Sequence, residues 1–86
     1  MAVPEAAQGI TAVVVTYNPD PARLAQLCQA VQSQVEHVVL VDNGSSTEAL
    51  AALQALVEGS SSALTLLPLG ENRGIGAAQN AGIALA

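Results

Sequence analysis

Three short polar turns break an otherwise apolar chain, and they carry most of the residues able to do chemistry. Tyr17-Asn18 follows the run Ala12-Val13-Val14-Val15. Asp42-Asn43 follows Val38-Val39-Leu40-Val41, and the glycine-rich stretch Gly70-Glu71-Asn72-Arg73-Gly74-Ile75-Gly76 follows a third apolar segment. Tyr17 can stack against a planar ring. Asp42 can accept from sugar hydroxyls, and the Asn43 amide both donates and accepts, the mixture that a pyrimidine imide edge presents. Backbone N–H groups at the start of a helix attract phosphate, and Arg73 is the one cation at these turns. Each feature also has a purely structural explanation. Tyr17 can cap the core with its hydroxyl in water, Asp42 and Asn43 can close an Asx-type turn, and Arg73 can sit solvated on a tight turn.

The elements that must position these residues follow from the apolar pattern. Ile10 to Thr16 is a near-continuous β-type run, as a strand covered on both faces requires. Asp20 and Pro21 supply an N-cap and a first helical residue for a helix reaching about Gln34. Leu24, Leu27, Cys28 and Val31 form its apolar stripe, with Cys28 as core filler. A second strand is predicted from near His37. Ser45 with Glu48 fits a capping box opening a second helix, about Thr47 to Val57, that buries Leu50, Leu53, Leu56 and Val57. Glu58 to Ser62 reads as a loop with Gly59 as the helix stop. Ala63 to Leu69 is a third strand, placed at an edge or ending by Pro68. A third helix then runs to Ala86. Asn80 and Gly82 are poor helix-interior residues, which points to close packing or a contact from that helix. The order β-α-β-α-β-α predicts an α/β fold with a parallel sheet and all three strand-to-helix turns along one edge, where open α/β sheets bind ligands.

Composition narrows the function classes. The chain has 86 residues, 51% hydrophobic, with no Phe or Trp, so its core is built from small aliphatic side chains. Arg23 and Arg73 are the only basic residues against seven acids, a net charge of -5, which argues against a nucleic-acid partner. A single cysteine rules out an internal disulfide framework and suits a reducing compartment. Met1 to Gln8 lacks the basic and apolar regions of a signal peptide, and no stretch reaches the ~18 apolar residues of a membrane span.

Three motifs, in order, resemble family-2 glycosyltransferases. Val13-Val14-Val15-Thr16-Tyr17-Asn18 looks like the family's first-strand signature, and Val39-Leu40-Val41-Asp42-Asn43-Gly44-Ser45 like its second-strand turn. Asn72 to Gly82 is similar to its N-x-G-x-x-x-x-x-N-x-G helix opening, and the Asp-Asn turn is most similar to the rhamnosyltransferase-like branch. The resemblance implies a Rossmann-like, nucleotide-binding half of an A-type glycosyltransferase fold over residues 10–86, with 1–9 as a tail. It implies that Thr16, Tyr17 and Asn18 line a base pocket, that Asp42 and Asn43 hold base and ribose, and that Asn72, Arg73 and Gly74 lie near the donor's pyrophosphate or sugar. The implied reaction moves a sugar from a UDP- or dTDP-sugar, dTDP-rhamnose among them, to an acceptor hydroxyl on a saccharide or lipid-linked acceptor in polysaccharide biosynthesis. The implied setting is cytoplasmic, at the membrane face for the full-length enzyme.

Two departures from the family pattern stand out. Many members carry two acids at the second-strand turn, and here the second position is Asn43. The family's D-x-D strand, which holds a divalent metal (Mg or Mn), is expected beyond Ala86, as are the acceptor site and base. The chain therefore reads as the N-terminal, donor-binding part of a longer enzyme, inactive alone. Two other readings compete. Gly70-x-x-x-Gly74-Ile75-Gly76 matches the glycine turn of short-chain dehydrogenases, which bind a nicotinamide dinucleotide, although there the turn follows the first strand. The other is a nucleotide-binding fragment without catalytic activity.

Overall fold

The computed structural model describes residues 7–60 and 64–85, with the side chains of Ala7 and Gln8 excepted. Six elements alternate: β1 (Ala7–Thr16), α1 (Pro21–Gln32), β2 (Val35–Asp42), α2 (Thr47–Glu58), β3 (Leu64–Pro68) and α3 (Ile75–Leu85). The strands form one parallel sheet in the order β1-β2-β3. The fold is thus the alternating α/β arrangement that the apolar runs predict. The expected part of the third strand at Ala63, the loop at Ser61 and Ser62, and the end of the last helix at Ala86 lie outside the described residues.

Strand β2 is the central strand and is buried on both faces. Val38, Val39, Leu40 and Val41 are all buried, and successive residues point to opposite sides. Val38 and Leu40 pack with Leu24 and Cys28 of α1, Leu53 of α2 and Leu64 of β3. Val39 and Val41 pack with Ala78 of α3, flanked by Val13, Val15 and Leu67. Helices α1 and α2 therefore cover one face and α3 the other. Gly82 explains how α3 comes so close: a Cβ built there would meet the γ-methyls of Val13 and Val41, the latter at 2.7 Å. Gly82, costly for helix propensity, is thus a packing requirement.

Several details differ from the sequence expectation. β1 begins three residues before Ile10, with an irregular register between the Ala7 and Thr11 pairs and a positive φ at Gly9. α1 stops at Gln32, where Ser33 is the C-cap and its hydroxyl returns to the Ala30 carbonyl. β2 begins at Val35, two residues before His37, whose Nε2 meets the Thr65 hydroxyl at 2.6 Å across the β2–β3 pair. Leu27, expected in the buried stripe of α1, is 47% exposed. Gly59 does end α2, but in right-handed geometry, with its N–H donating to the Ala55 carbonyl. Pro68 closes β3, an edge strand among the described residues, opposite Asp42.

Candidate functional site

The parallel register brings Thr16, Asp42 and Pro68 side by side at the carboxyl ends of the three strands. The ladder continues one step further, with the Asn43 N–H donating to the Thr16 carbonyl and the Leu69 N–H to the Asp42 carbonyl. The three turns are therefore neighbours along one sheet edge, and two side-chain circuits tie them together.

The first circuit is centred on Asp42, which is 1% exposed. Thr16 Oγ1 donates to Asp42 Oδ1 at 3.0 Å, and the Ser45 N–H donates to Oδ2 at 2.9 Å. The Ser45 hydroxyl also donates to Oδ1. In turn, Ser45 Oγ accepts the Asn18 N–H at 2.7 Å, while Asn18 Oδ1 accepts the Ser46 N–H at 2.8 Å. Asn18 sits in the left-handed region at φ 44°, which asparagine tolerates better than most residues, and this turns its backbone toward Ser45. A buried carboxylate is costly unless hydrogen-bonded, and here three donors meet it. Ser45 is consequently not the helix cap that its spacing to Glu48 predicts. Ser46 is the N-cap of α2 and accepts the Ala49 N–H, leaving Ser45 to serve Asp42.

Asn43, 5% exposed, centres the second circuit. Its Oδ1 accepts the Arg73 N–H at 2.9 Å, and its Nδ2 donates to Asn72 Oδ1 at 3.1 Å. Asn72 Oδ1 also accepts the Gly74 N–H at 2.9 Å, which shapes the entry to α3. The turns touch closely here. At Gly44, φ is 91°, and a Cβ would lie 2.7 Å from both the Asn72 nitrogen and the Glu71 carbonyl carbon. Only glycine combines that conformation with that approach.

Of the eight residues singled out in the sequence, Thr16, Asp42 and Asn43 are buried, whereas Tyr17, Asn18, Asn72, Arg73 and Gly74 are exposed. Asp42 and Asn43 lie at the mouth of the sheet as expected, but beneath its surface. Tyr17 is 57% exposed, available for stacking. Arg73 is not free: its Nε lies 3.4 Å from Glu71 Oε1, and Nη2 reaches the Leu69 carbonyl. Ser45 and Gly44 belong to the second-strand motif, but their part in building the site is not readable from it. The signal for Ser45 was the second hydroxyl after Gly44, since a cap needs only one.

A divalent cation is a poor fit to the residues at this edge. Both Asp42 oxygens are engaged by protein donors, and Glu71 is paired with Arg73. Among the described residues, no three His, Cys, Asp or Glu side chains cluster to hold a metal. No helix of the described residues is long and apolar enough to cross a membrane.

Comparison with known proteins agrees with this geometry. No curated protein matches the chain. The family model described as Glycosyl transferase family 2 matches residues 11–86, from β1 through all three turns and α3. A parallel α/β sheet whose strand-to-helix turns are linked at one edge, together with a match over nearly the whole chain, places this protein in glycosyl transferase family 2.

Proposed function

We propose that this chain is the donor-binding part of an enzyme that transfers a sugar from a pyrimidine nucleoside diphosphate, UDP or dTDP, to an acceptor hydroxyl. At the family level the substrates are a nucleotide-sugar donor and an acceptor. The observation that carries the finer reading is the pairing of an exposed Tyr17 with a turn held rigidly from below by Asp42 and Ser45. A stacking surface is useful only if it is pre-positioned, because ordering it on binding costs affinity.

In this reading Tyr17 stacks on the base and Asn18 lies beside it. Asn72, Arg73 and Gly74 face the diphosphate. Thr16, Asp42 and Asn43 support the turns that make these contacts, since their polar atoms already have protein partners. Arg73 would exchange Glu71 for the phosphates, both groups being at the surface. The likeness of the Asp42-Asn43 turn to the rhamnosyltransferase-like branch makes dTDP-rhamnose the sharper donor hypothesis, with a saccharide or lipid-linked acceptor and a cytoplasmic setting. The divalent metal expected of the full-length enzyme finds no fitting residues at this edge among the described residues. The dehydrogenase alternative loses ground because the glycine turn follows β3 rather than β1.

Isothermal calorimetry with UDP, dTDP and inorganic pyrophosphate tests the reading. Tyr17→Ala should weaken both nucleotides by about 1–3 kcal/mol, the usual worth of base–aromatic stacking. Pyrophosphate binding should hardly change. Equal losses for nucleotide and pyrophosphate would make Tyr17 a structural residue and overturn the stacking role.

A further inference from the structure

We infer that Asn43 is a positioning residue that clamps the Asn72–Gly74 turn, so that its loss is felt at the donor's diphosphate end and not at the base. The inference rests on the donor-binding reading above and assigns Asn43 a place in it. Asn43 links two neighbouring turns through both atoms of its amide. Oδ1 holds the Arg73 N–H at 2.9 Å, and Nδ2 holds Asn72 Oδ1 at 3.1 Å. Asn72 Oδ1 in turn receives the Gly74 N–H at 2.9 Å. The backbone amides of Arg73 and Gly74 therefore take their direction from a residue on β2's turn. By contrast, among the described residues Asn43 has no side-chain bond to Tyr17 or Asn18, and Asn18 is held instead through Ser45 and Ser46. The two ends of the site are thus secured by different residues.

The chain specifies an amide at position 43. A carboxylate has no donor, so Asp at this position would set an acceptor against Asn72 Oδ1. Asn72 has no escape by turning its own amide over, because its oxygen already receives the Gly74 N–H and the turn would set donor against donor. The two turns lie close together, with Gly44 packed onto the Glu71–Asn72 backbone. The cost of an acid at 43 therefore falls on the geometry of residues 72–74.

The test compares the unaltered chain with Asn43→Asp and Asn72→Asp by calorimetry and by amide hydrogen exchange. The probes are UDP, uridine and inorganic pyrophosphate. Asn43→Asp should lower affinity for UDP and pyrophosphate about tenfold, as loss of one well-made hydrogen-bond link would, and change uridine affinity less than about twofold. Exchange at Arg73 and Gly74 should speed up, while amides of β2 stay protected. Asn72→Asp keeps the acceptor for both Asn43 Nδ2 and Gly74 N–H, so Gly74 should remain protected, and this holds the clamp testable if Asn43→Asp folds poorly. Unchanged exchange at Arg73 and Gly74 in Asn43→Asp, or loss of Gly74 protection in Asn72→Asp, overturns the clamp. Equal loss of uridine and UDP in Asn43→Asp overturns its assignment to the diphosphate end. Failure of the unaltered chain to bind UDP at all overturns the donor reading, and exchange then still decides the clamp.

Discussion

Asp42 shows how much a single residue's role depends on its partners. Its two oxygens receive two hydroxyls and one backbone N–H, contributed by two different turns. Removing the carboxylate leaves those donors in a buried place without acceptors, a penalty of about 1–3 kcal/mol for each group left unsatisfied. Asp42→Ala should therefore lower the urea midpoint and, by loosening the Tyr17–Asn18 turn that Ser45 holds, weaken UDP or dTDP binding. A variant with unchanged affinity would show that the first circuit is irrelevant to the ligand. Cys28 is the opposite case, a reactive group type with nothing to react. It is buried against Leu24, Leu53 and Leu64, and burial pushes its thiol pKa above the ordinary value. Its alkylation by iodoacetamide should be slow in the folded chain and fast in urea. Rapid reaction under native conditions would place the thiol outside the core.

At the scale of elements, the glycines decide how closely turn meets turn and helix meets sheet. Gly82→Ala gains about 1 kcal/mol in helix propensity. It also drives a methyl into Val13 and Val41, stiff side chains that yield poorly. Overpacking of this kind costs about 1–3 kcal/mol, so the balance should be a net loss measurable by urea unfolding. Gly44→Ala should cost more, because strain at φ 91° adds to a clash with backbone that has no rotamer to change. A stabilised Gly82→Ala would mean that α3 sits further from the sheet than described. The hydrogen-bonded caps Asp20 and Ser46 set the starts of α1 and α2 by ordinary means.

For the molecule as a whole, the uncovered apolar surface matters as much as the site. Ile75, Ile83 and Leu85 of α3 are at least half exposed, as are Ile10 of β1 and, nearly so, Leu27 of α1. Among the described residues, β1 and β3 are both edges of the sheet. Open edges and apolar patches favour pairing with other chains. Purified as 86 residues, the protein should elute in size-exclusion chromatography as a concentration-dependent mixture of species. A sharp monomer peak at high concentration would count against that. We further propose that this chain binds donor without turning it over, because the buried acid of the site, Asp42, has both oxygens committed to protein donors. Release of UDP from a UDP-sugar above the background rate, with a saccharide acceptor present, would refute this.

The alternation of elements, the apolar centre of β2 and the three turns were legible in the sequence because each is a local property. A β-branched run makes a strand wherever it is buried, Asp20-Pro21 starts a helix whatever lies beyond it, and Gly82 announced close packing by being costly. What local pattern did not contain was which turn touches which. Ser45 and Ser46 are equivalent as capping residues until Asp42 claims the first, and Asp42 and Asn43 look alike as ligand contacts until Thr16, Asn72 and Arg73 arrive beside them. Leu27 looks buried by its spacing, yet in the folded chain it is about half exposed. Those outcomes belong to tertiary structure, because a hydrogen bond between residues 26 to 30 positions apart in the chain exists only once the sheet register has brought its two ends together.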